Sequence, residues 1–555
     1  MLPKLKLRPW QLSLLASFFI ITANNPVLFK GLFNILDMTS VADIGFLVTL
    51  VVLMIVVLNT LFLLLGIGGM LKVIVAVTVI FSASIGYFVN EMGVVFDQEM
   101  FSNVADTIRE RNLLEARELG SLPFVWHMLL LGIIPSALLA FVQLRPGRPL
   151  VELRDRAVVV IVSILVFSAL GMGNYRSVTY LARENRDLRV KITPIFAFIS
   201  LGKQARDSWA SDLPFKDLSA DAYQEKSGKK PKIGIMVVGE TARADHFSLN
   251  GYSKSTNPAL ETVQGLMFAD ATSCGTSTAY SVPCMFFLRG RDQYTPDIAR
   301  AESNVLDLLA TAGVKTLWID NNSTCKHVCD RIENVNMRIK PDQSMSLDGD
   351  FDVELVRIAE RYIEEADEDV LIVLHMMGSH GPAYSNRYPP EFAPFAPSCE
   401  SLSPTECTTD EVANAYDNTI AYTDFVLHEL IGLLKEREDE FDSFLFYASD
   451  HGESLGENGV YLHGLPYALA PASQTDIPMI IWLSPELSES KSIDIETSVV
   501  SSEERLSHDN IPHTLLGLYE IQSKWYEADD DIFPTLLTTQ LSSRAANTTA
   551  IKRYK

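Results

Sequence analysis

The chain has 555 residues, 48% hydrophobic and 21% charged, a composition that excludes an intrinsically disordered chain and leaves length for more than one domain. Its formal charge of −23 is unevenly spread: 19 Lys and Arg face 14 Asp and Glu through residue 210, and 27 face 55 beyond it. An acidic C-terminal half without a basic stripe excludes nucleic acid as a partner, because phosphate backbones require clustered Lys and Arg. Membrane lipid is the partner class that remains.

Crossing the hydrocarbon core as a helix takes about 20 mostly apolar residues, and five charge-free intervals qualify: 9–29, 44–71, 73–90, 119–144 and 157–175. They predict five transmembrane helices within residues 1–176. Asn24, Asn25 and Pro26 interrupt the first interval and suit a protein interior better than lipid. A cleaved signal peptide fits poorly, since no small-residue cleavage site follows and four more spans do. Lys4, Lys6 and Arg8 precede the first span, and Arg145, Arg148, Arg154 and Arg156 fill the fourth connection. The positive-inside rule places both stretches in the cytoplasm, so that after five spans the chain emerges on the opposite side. Residues 177–231 read as a membrane-surface helix carrying Arg183, Arg186, Arg189 and Lys191, followed by a polar linker over 211–232.

From residue 232 onward, β-branched apolar runs at 232–238, 314–319, 370–374, 444–448 and 477–483 alternate with helical stretches. That pattern predicts an α/β domain over 232–555 with a mostly parallel sheet covered on both faces. Ligands in such sheets sit at the carboxyl ends of the strands. All six cysteines lie in this half, in close pairs: Cys274 and Cys284, Cys325 and Cys329, Cys399 and Cys407. Short loop closure favours these pairs as disulfides, as an exported domain allows; six buried thiols or a zinc cluster is the other reading.

The strand ends carry the chemistry. Glu240 follows the first run, and Asp450 and His451 follow the fourth. Together they form a mixed oxygen and nitrogen donor set that suits zinc and leaves a position open, although a carboxylate alone after a strand is more often a helix cap or an ion-pair partner. The loop 272–284 is rich in hydroxyls, among them Thr276, Ser277 and Thr278; a metal-activated hydroxyl is a nucleophile, and a Ser/Thr-rich turn capping a helix is the bland alternative. His375 and His380 follow the third run and His463 lies beyond the Asp-His pair, so that with His246 and His451 five of ten histidines cluster at strand ends. Those not ligating a metal suit phosphate binding or proton transfer. Lys326 is a further phosphate-binding candidate.

The runs GETARADHFSLNGY, TSCGTSTAYSVPCMF, HMMGSHGPAY and SDHGESLGENGVYLHG resemble the phosphoethanolamine transferases of Gram-negative inner membranes, in particular the lipid A enzymes associated with polymyxin resistance. The resemblance spans nearly the whole chain. It implies a five-helix membrane domain with a periplasmic helical loop over 91–122, a cytoplasmic N-terminus, and a periplasmic catalytic domain of alkaline-phosphatase/sulfatase type. It further implies that Thr278 is the nucleophile and binds Zn2+ with Glu240, Asp450 and His451. By the same resemblance His380, His463 and Lys326 bind the phosphoryl group, His375 supports substrate or a second, weaker metal, and three disulfides form.

The implied reaction moves phosphoethanolamine from phosphatidylethanolamine to lipopolysaccharide, at a lipid A phosphate, through a phosphoethanolamine-threonine. A head-group site in the loop after the third span is implied at Asn103 and Thr107. There the pattern departs from relatives, because Arg111 stands where a Glu is expected and the nearest carboxylates are Glu110 and Glu115. Core sugar as the acceptor, and a phosphoglycerol transferase or sulfatase-like hydrolase on the same fold, are the rival readings; a sulfatase needs a C-x-P-x-R context, and the hydroxyl loop lacks one. A tethered binding protein would have lost ligands, and every implied metal position is filled.

Overall fold

The computed structural model describes residues 5–67, 69–97, 100–101, 104, 120–145, 148–174, 178, 181, 185–210, 213–226, 228, 230–322, 324–337, 351–491 and 506–534. They form two compact units, one built from the N-terminal helices and one around the sheet of the C-terminal half. Asn103, Thr107, Glu110 and Glu115 lie outside the described residues.

Among the described residues four helices are long and apolar enough to cross a membrane: Val41–Leu65, Met70–Met92, Leu122–Phe141 and Leu150–Gly173. The first expected span is instead a bent pair, Pro9–Ala23 and Pro26–Ile35, turning by 67°, so a fifth crossing exists only if the pair counts as one span. The break falls at Asn24 and Asn25, both buried. Pro26 lacks the N–H that would continue the first helix and starts the second. Side chains take over the freed backbone groups. Asn25 Nδ2 donates to the carbonyls of Ile21 (3.0 Å) and Thr193 (2.8 Å), and its Oδ1 accepts from the Thr193 N–H at 2.7 Å. Asn90 Nδ2 donates to the Asn24 carbonyl at 3.0 Å, while its Oδ1 accepts from the Val27 N–H at 3.2 Å. This is how an irregular backbone survives beside lipid. Leu150, Leu165 and Met172 face outward, as lipid contact requires.

The C-terminal unit holds an eight-stranded sheet: β1 Lys232–Gly239, β2 Leu266–Thr272, β3 Lys315–Asp320, β4 Glu333–Asn336, β5 Val370–His375, β6 Asp442–Ser449, β7 Asp476–Leu483 and β8 Leu506–Ser507. Across the sheet the order is β8-β2-β7-β6-β1-β5-β3-β4. Every described pairing is parallel except those of β7, which runs antiparallel to both β2 and β6. The mostly parallel expectation holds, with β7 as the exception. Periodicity alone does not single out β2, β4 and β8, since alternating burial over β2 and short, half-exposed edges give no continuous apolar run.

Both faces of the sheet are covered. All of β1 is buried, and its side chains alternate between two cores, Met236 and Val238 in one, Ile233, Ile235 and Val237 in the other. The second core is roofed by the helix Thr409–Lys435, which opens with a capping box between Thr408 and Glu411. The stretch expected as a linker packs instead on the domain: Leu218 is buried, and Tyr223–Gln224 pairs antiparallel with Ile521–Gln522.

Gly234 in β1 pairs with Phe444 in β6, and a Cβ there would clash with the edge of the Phe444 ring and sit 2.6 Å from the Tyr519 hydroxyl. Gly234→Ala should therefore destabilise the protein by about 1–3 kcal/mol, the usual cost of overpacking a core. Thermal melting of the purified full-length protein in detergent measures it, and an unchanged midpoint contradicts the packing described.

Candidate active site

Strand register assembles the site. Gly239 is opposite Ser449 in the parallel β1/β6 pair, so the next residues, Glu240 and Asp450, emerge side by side at the carboxyl end of the sheet. His375, opposite Val238, ends β5 one step below them. Because β2 and β6 are both antiparallel to β7, β2 points the same way as β6 and delivers the loop after Thr272 to the same edge. That loop leads into the helix Thr278–Met285, with Thr278 at its first position.

Glu240, Asp450 and His451 are wholly buried, and their donor atoms lie within 4.8 Å of one another, a group able to hold a metal ion. Thr278 Oγ1 lies 3.2 Å from each Glu240 carboxylate oxygen and 3.4 Å from His451 Nε2. His451 Nε2 lies 3.6 Å from Glu240 Oε1 and 3.3 Å from Asp450 Oδ2.

Each donor is oriented from behind. His451 Nδ1 donates to the Gly452 carbonyl at 2.9 Å, which leaves a lone pair on Nε2 facing the cluster. Asp450 Oδ1 accepts from the Thr241 and His451 N–H groups at 3.1 and 2.7 Å, while Oδ2 is buried without a hydrogen-bond partner. Asn322 Nδ2 donates to Glu240 Oε2 at 2.7 Å and to the Met376 carbonyl at 2.9 Å. Gly378, at φ +50°, passes so close to Glu240 that a Cβ would sit 2.8 Å from its carbonyl oxygen.

Electrostatics point the same way. Burial, aided by the Asp450 charge, pushes the Glu240 carboxyl well up, and burial raises Asp450 to about 6. Burial, with His463 nearby, holds His451 well below the usual imidazole range and so in the neutral form that ligates metals. A cation among these three restores the charge of both carboxylates without protonating the imidazole.

The other residues singled out by sequence fall in three places. His463 stacks near His451, ring centroids 4.4 Å apart, and near His380 at 5.7 Å; its Nδ1 bonds Glu453 Oε2 at 2.8 Å. His375 is buried, bonded through Nδ1 to Asp320 Oδ2 at 3.1 Å, with no hydrogen-bond partner on Nε2. Lys326 lines a cavity that also takes in Ala279, the neighbour of Thr278. His246 is drawn elsewhere, to Asp417 at 2.6 Å. The three cysteine pairs close as disulfides.

Sequence reasoning misses His508. It is buried, its Nδ1 accepts the Cys274 N–H at 3.0 Å and its Nε2 donates to the Ser449 carbonyl at 2.8 Å. It thus ties the Thr278 loop to the strand that ends at Asp450. Burial lowers it to about 4, so the imidazole stays neutral and keeps one donor and one acceptor. Only its place after the two-residue β8 could have drawn attention to it, and that strand is too short to read.

Known proteins share this arrangement. Residues 232–521 match the family described as Sulfatase, and residues 54–208 match the family described as Phosphoethanolamine transferase EptA/EptB. The chain is 35% identical over 542 residues to phosphoethanolamine transferase EptA of Escherichia coli K12, covering 96% of this chain and 97% of that one. It is 36% identical over 471 residues to phosphatidylethanolamine transferase Mcr-1 of Escherichia coli, covering 81% and 84%. The solved structure of the integral membrane protein lipooligosaccharide phosphoethanolamine transferase A from Neisseria meningitidis superposes with a TM-score of 0.88 at 31% identity, covering 95% of this chain and 98% of that one. Matched over nearly its full length by relatives at 35% sequence identity and by a solved structure at a TM-score of 0.88, the chain belongs to the phosphoethanolamine transferase family.

Proposed function

We propose that this protein transfers phosphoethanolamine from phosphatidylethanolamine to a lipid A phosphate of lipopolysaccharide, in two half-reactions on Thr278. The observation that carries the reading is the Thr278 hydroxyl, held at a helix start within 3.2–3.4 Å of Glu240 and His451 in a buried donor cluster. The matched relatives, named for phosphatidylethanolamine and for lipooligosaccharide, support the donor and the acceptor class. Three disulfides support a periplasmic catalytic domain, and the basic residues before the first helix and after the fourth support a cytoplasmic N-terminus in the inner membrane.

Zinc is the metal proposed for Glu240, Thr278, Asp450 and His451. Mixed oxygen and nitrogen donors suit zinc, and four donor–donor separations, from Thr278 to Glu240 and His451 and from His451 to Glu240 and Asp450, are 3.2 to 3.6 Å. When bound, zinc lowers the pKa of the coordinated hydroxyl and polarises a phosphoryl oxygen.

Thr278 Oγ1, having lost its proton, forms a bond to phosphorus as the bond from phosphorus to the glycerol oxygen breaks, and diacylglycerol leaves with a proton. His463, its ring 4.4 Å from that of His451 and 5.7 Å from that of His380, binds phosphoryl oxygens with His380, and the two supply that proton; Lys326 adds positive charge. His375, buried one step below the metal ligands on β5, supports them. An oxygen of the lipid A phosphate then attacks the same phosphorus, the bond to Thr278 breaks, and the hydroxyl is restored. Both lipid substrates are confined to the membrane, which raises their concentration at the site.

Thr278→Ala should cut transfer by at least about a thousandfold, as loss of a nucleophile does, with thermal melting unchanged. Mass spectrometry of an intermediate peptide carrying phosphoethanolamine on Thr276 or Ser277 would contradict the assignment.

Chelator should abolish activity, and zinc in about 100- to 1,000-fold excess over its Kd should stabilise the metal-free protein by about 3–4 kcal/mol. Activity retained in a preparation shown by elemental analysis to be metal-free would exclude the metal from the reaction.

In cells, expression should add one phosphoethanolamine mass increment to lipid A and raise resistance to polymyxin. Capping a phosphate monoester, of charge about −1.5 to −2, leaves a diester and a compensating ammonium that attract a polycation far less. Unmodified lipid A beside modified core sugar would shift the acceptor to the core.

A further inference from the structure

A cavity of about 270 Å³ runs along the helix that begins at Thr278. One wall is its Ala279 and Pro283, four residues and so about 6 Å apart along the axis, continued by Phe287; Lys326 lies in the wall formed by the Cys325–Cys329 loop. The apolar part is aromatic and proline-rich, with the rings of Phe287 and Tyr294 packed edge to face at 5.5 Å beside Pro283 and Pro296. Its size is close to the roughly 300 Å³ at which sites for small molecules begin.

The charges lining it run against the domain. The chain after residue 210 has twice as many acidic as basic residues, and the arginines nearby are engaged: Arg289 with Glu302, Arg331 with Asp307, and Arg291 with the Cys274 carbonyl. Arg300, exposed and lining the cavity, has no such partner among the described residues. The cavity's own carboxylate, Asp330, is already bonded to His327 at 2.9 Å. An exposed guanidinium with no partner among the described residues of an acidic domain, sharing a cavity with apolar rings and with Ala279, which follows Thr278 in the chain, fits a ligand with an anionic group on a ring with apolar faces.

We propose that this cavity binds the acceptor's phosphorylated saccharide, with Arg300 on a second anionic group, distinct from the phosphate that receives phosphoethanolamine. The inference rests on the lipid A reading of the acceptor. The donor fits less well, because its single phosphate must sit at Thr278 and leaves nothing for Arg300, which makes no contact with the metal-binding cluster.

The test uses full-length enzyme in detergent and two soluble probes, a glucosamine disaccharide phosphorylated at both ends and the same disaccharide with one phosphate. Wild type should show a KM about tenfold or more lower for the bisphosphate, as a charge-assisted bidentate contact gives. Arg300→Gln should shrink that preference to within twofold, and Arg300→Lys should restore part of it. Calorimetric titration of the bisphosphate alone, on wild type and Arg300→Gln, should show the same dependence.

A wild type that uses both probes equally, or an Arg300→Gln enzyme that keeps the preference, overturns the assignment while leaving the transferase reading intact. A raised KM for phosphatidylethanolamine with acceptor preference unchanged also overturns it, by giving Arg300 to the donor. Arg300-dependent binding of the bisphosphate in an enzyme that transfers to neither probe also overturns the assignment, because the cavity then holds a phosphorylated sugar that is not the acceptor.

Discussion

Parallel pairing of β1 with β6 is the constraint on which the rest depends. It sets Gly239 against Ser449, and from that register Glu240 and Asp450 must emerge together at one buried edge. Two adjacent carboxyls without solvent are unfavourable as anions, which is why burial drives both upward. The charged form is stable only around a cation, so the fold creates an electrostatic demand that a metal ion held by Glu240, Asp450 and His451 would satisfy.

Thr278, the proposed nucleophile, is held by a second set of contacts, mostly backbone and hydroxyl. Ser273 Oγ donates to the Gly275 carbonyl at 2.6 Å, Ser281 Oγ accepts the Gly275 N–H at 2.9 Å, Thr276 Oγ1 donates to the Leu465 carbonyl at 2.6 Å, and the Tyr467 hydroxyl reaches the Ser273 carbonyl at 3.0 Å. With His508 and the Cys274–Cys284 bridge, these contacts leave the loop few alternatives. A hydroxyl that must meet phosphorus in line gains from such preorganisation, since orientation fixed by the fold need not be fixed in the transition state. The hydroxyl-rich composition thus serves two ends: Thr278 faces the cluster, and Ser273, Thr276 and Ser281 hold the loop that presents it.

In the helical unit, the break at Asn24 and Asn25 shows the same economy of polar groups. Amide side chains substitute for the backbone bonds that Pro26 prevents, and Asn25 ties the bend to Thr193, 168 residues away. Arg156 is kept in this apolar unit by Glu152 at 2.8 Å and by the Leu63 carbonyl at 3.0 Å, as a charge near lipid requires.

Much of this was determined by the sequence itself, and for identifiable reasons. Charge-free stretches of about 20 residues report spans because lipid solvates no charge, and strand-end motifs report a site because parallel sheets put ligands there. Long runs such as TSCGTSTAYSVPCMF name a family because their chemistry tolerates few alternatives. Close cysteine pairs report disulfides because short loops close cheaply. Tertiary structure alone decided the rest. Whether the first interval is one straight helix depended on Asn25 finding Thr193, a partner no local pattern reveals. That Asn322 and His508 brace the site, and that Arg300 has no partner among the described residues while its neighbours are engaged, follows from contacts between residues far apart in the chain. His246 shows the converse: it sits in a family-like motif yet turns to Asp417, 171 residues onward, because side-chain partners are chosen by packing in three dimensions and not by neighbours in sequence.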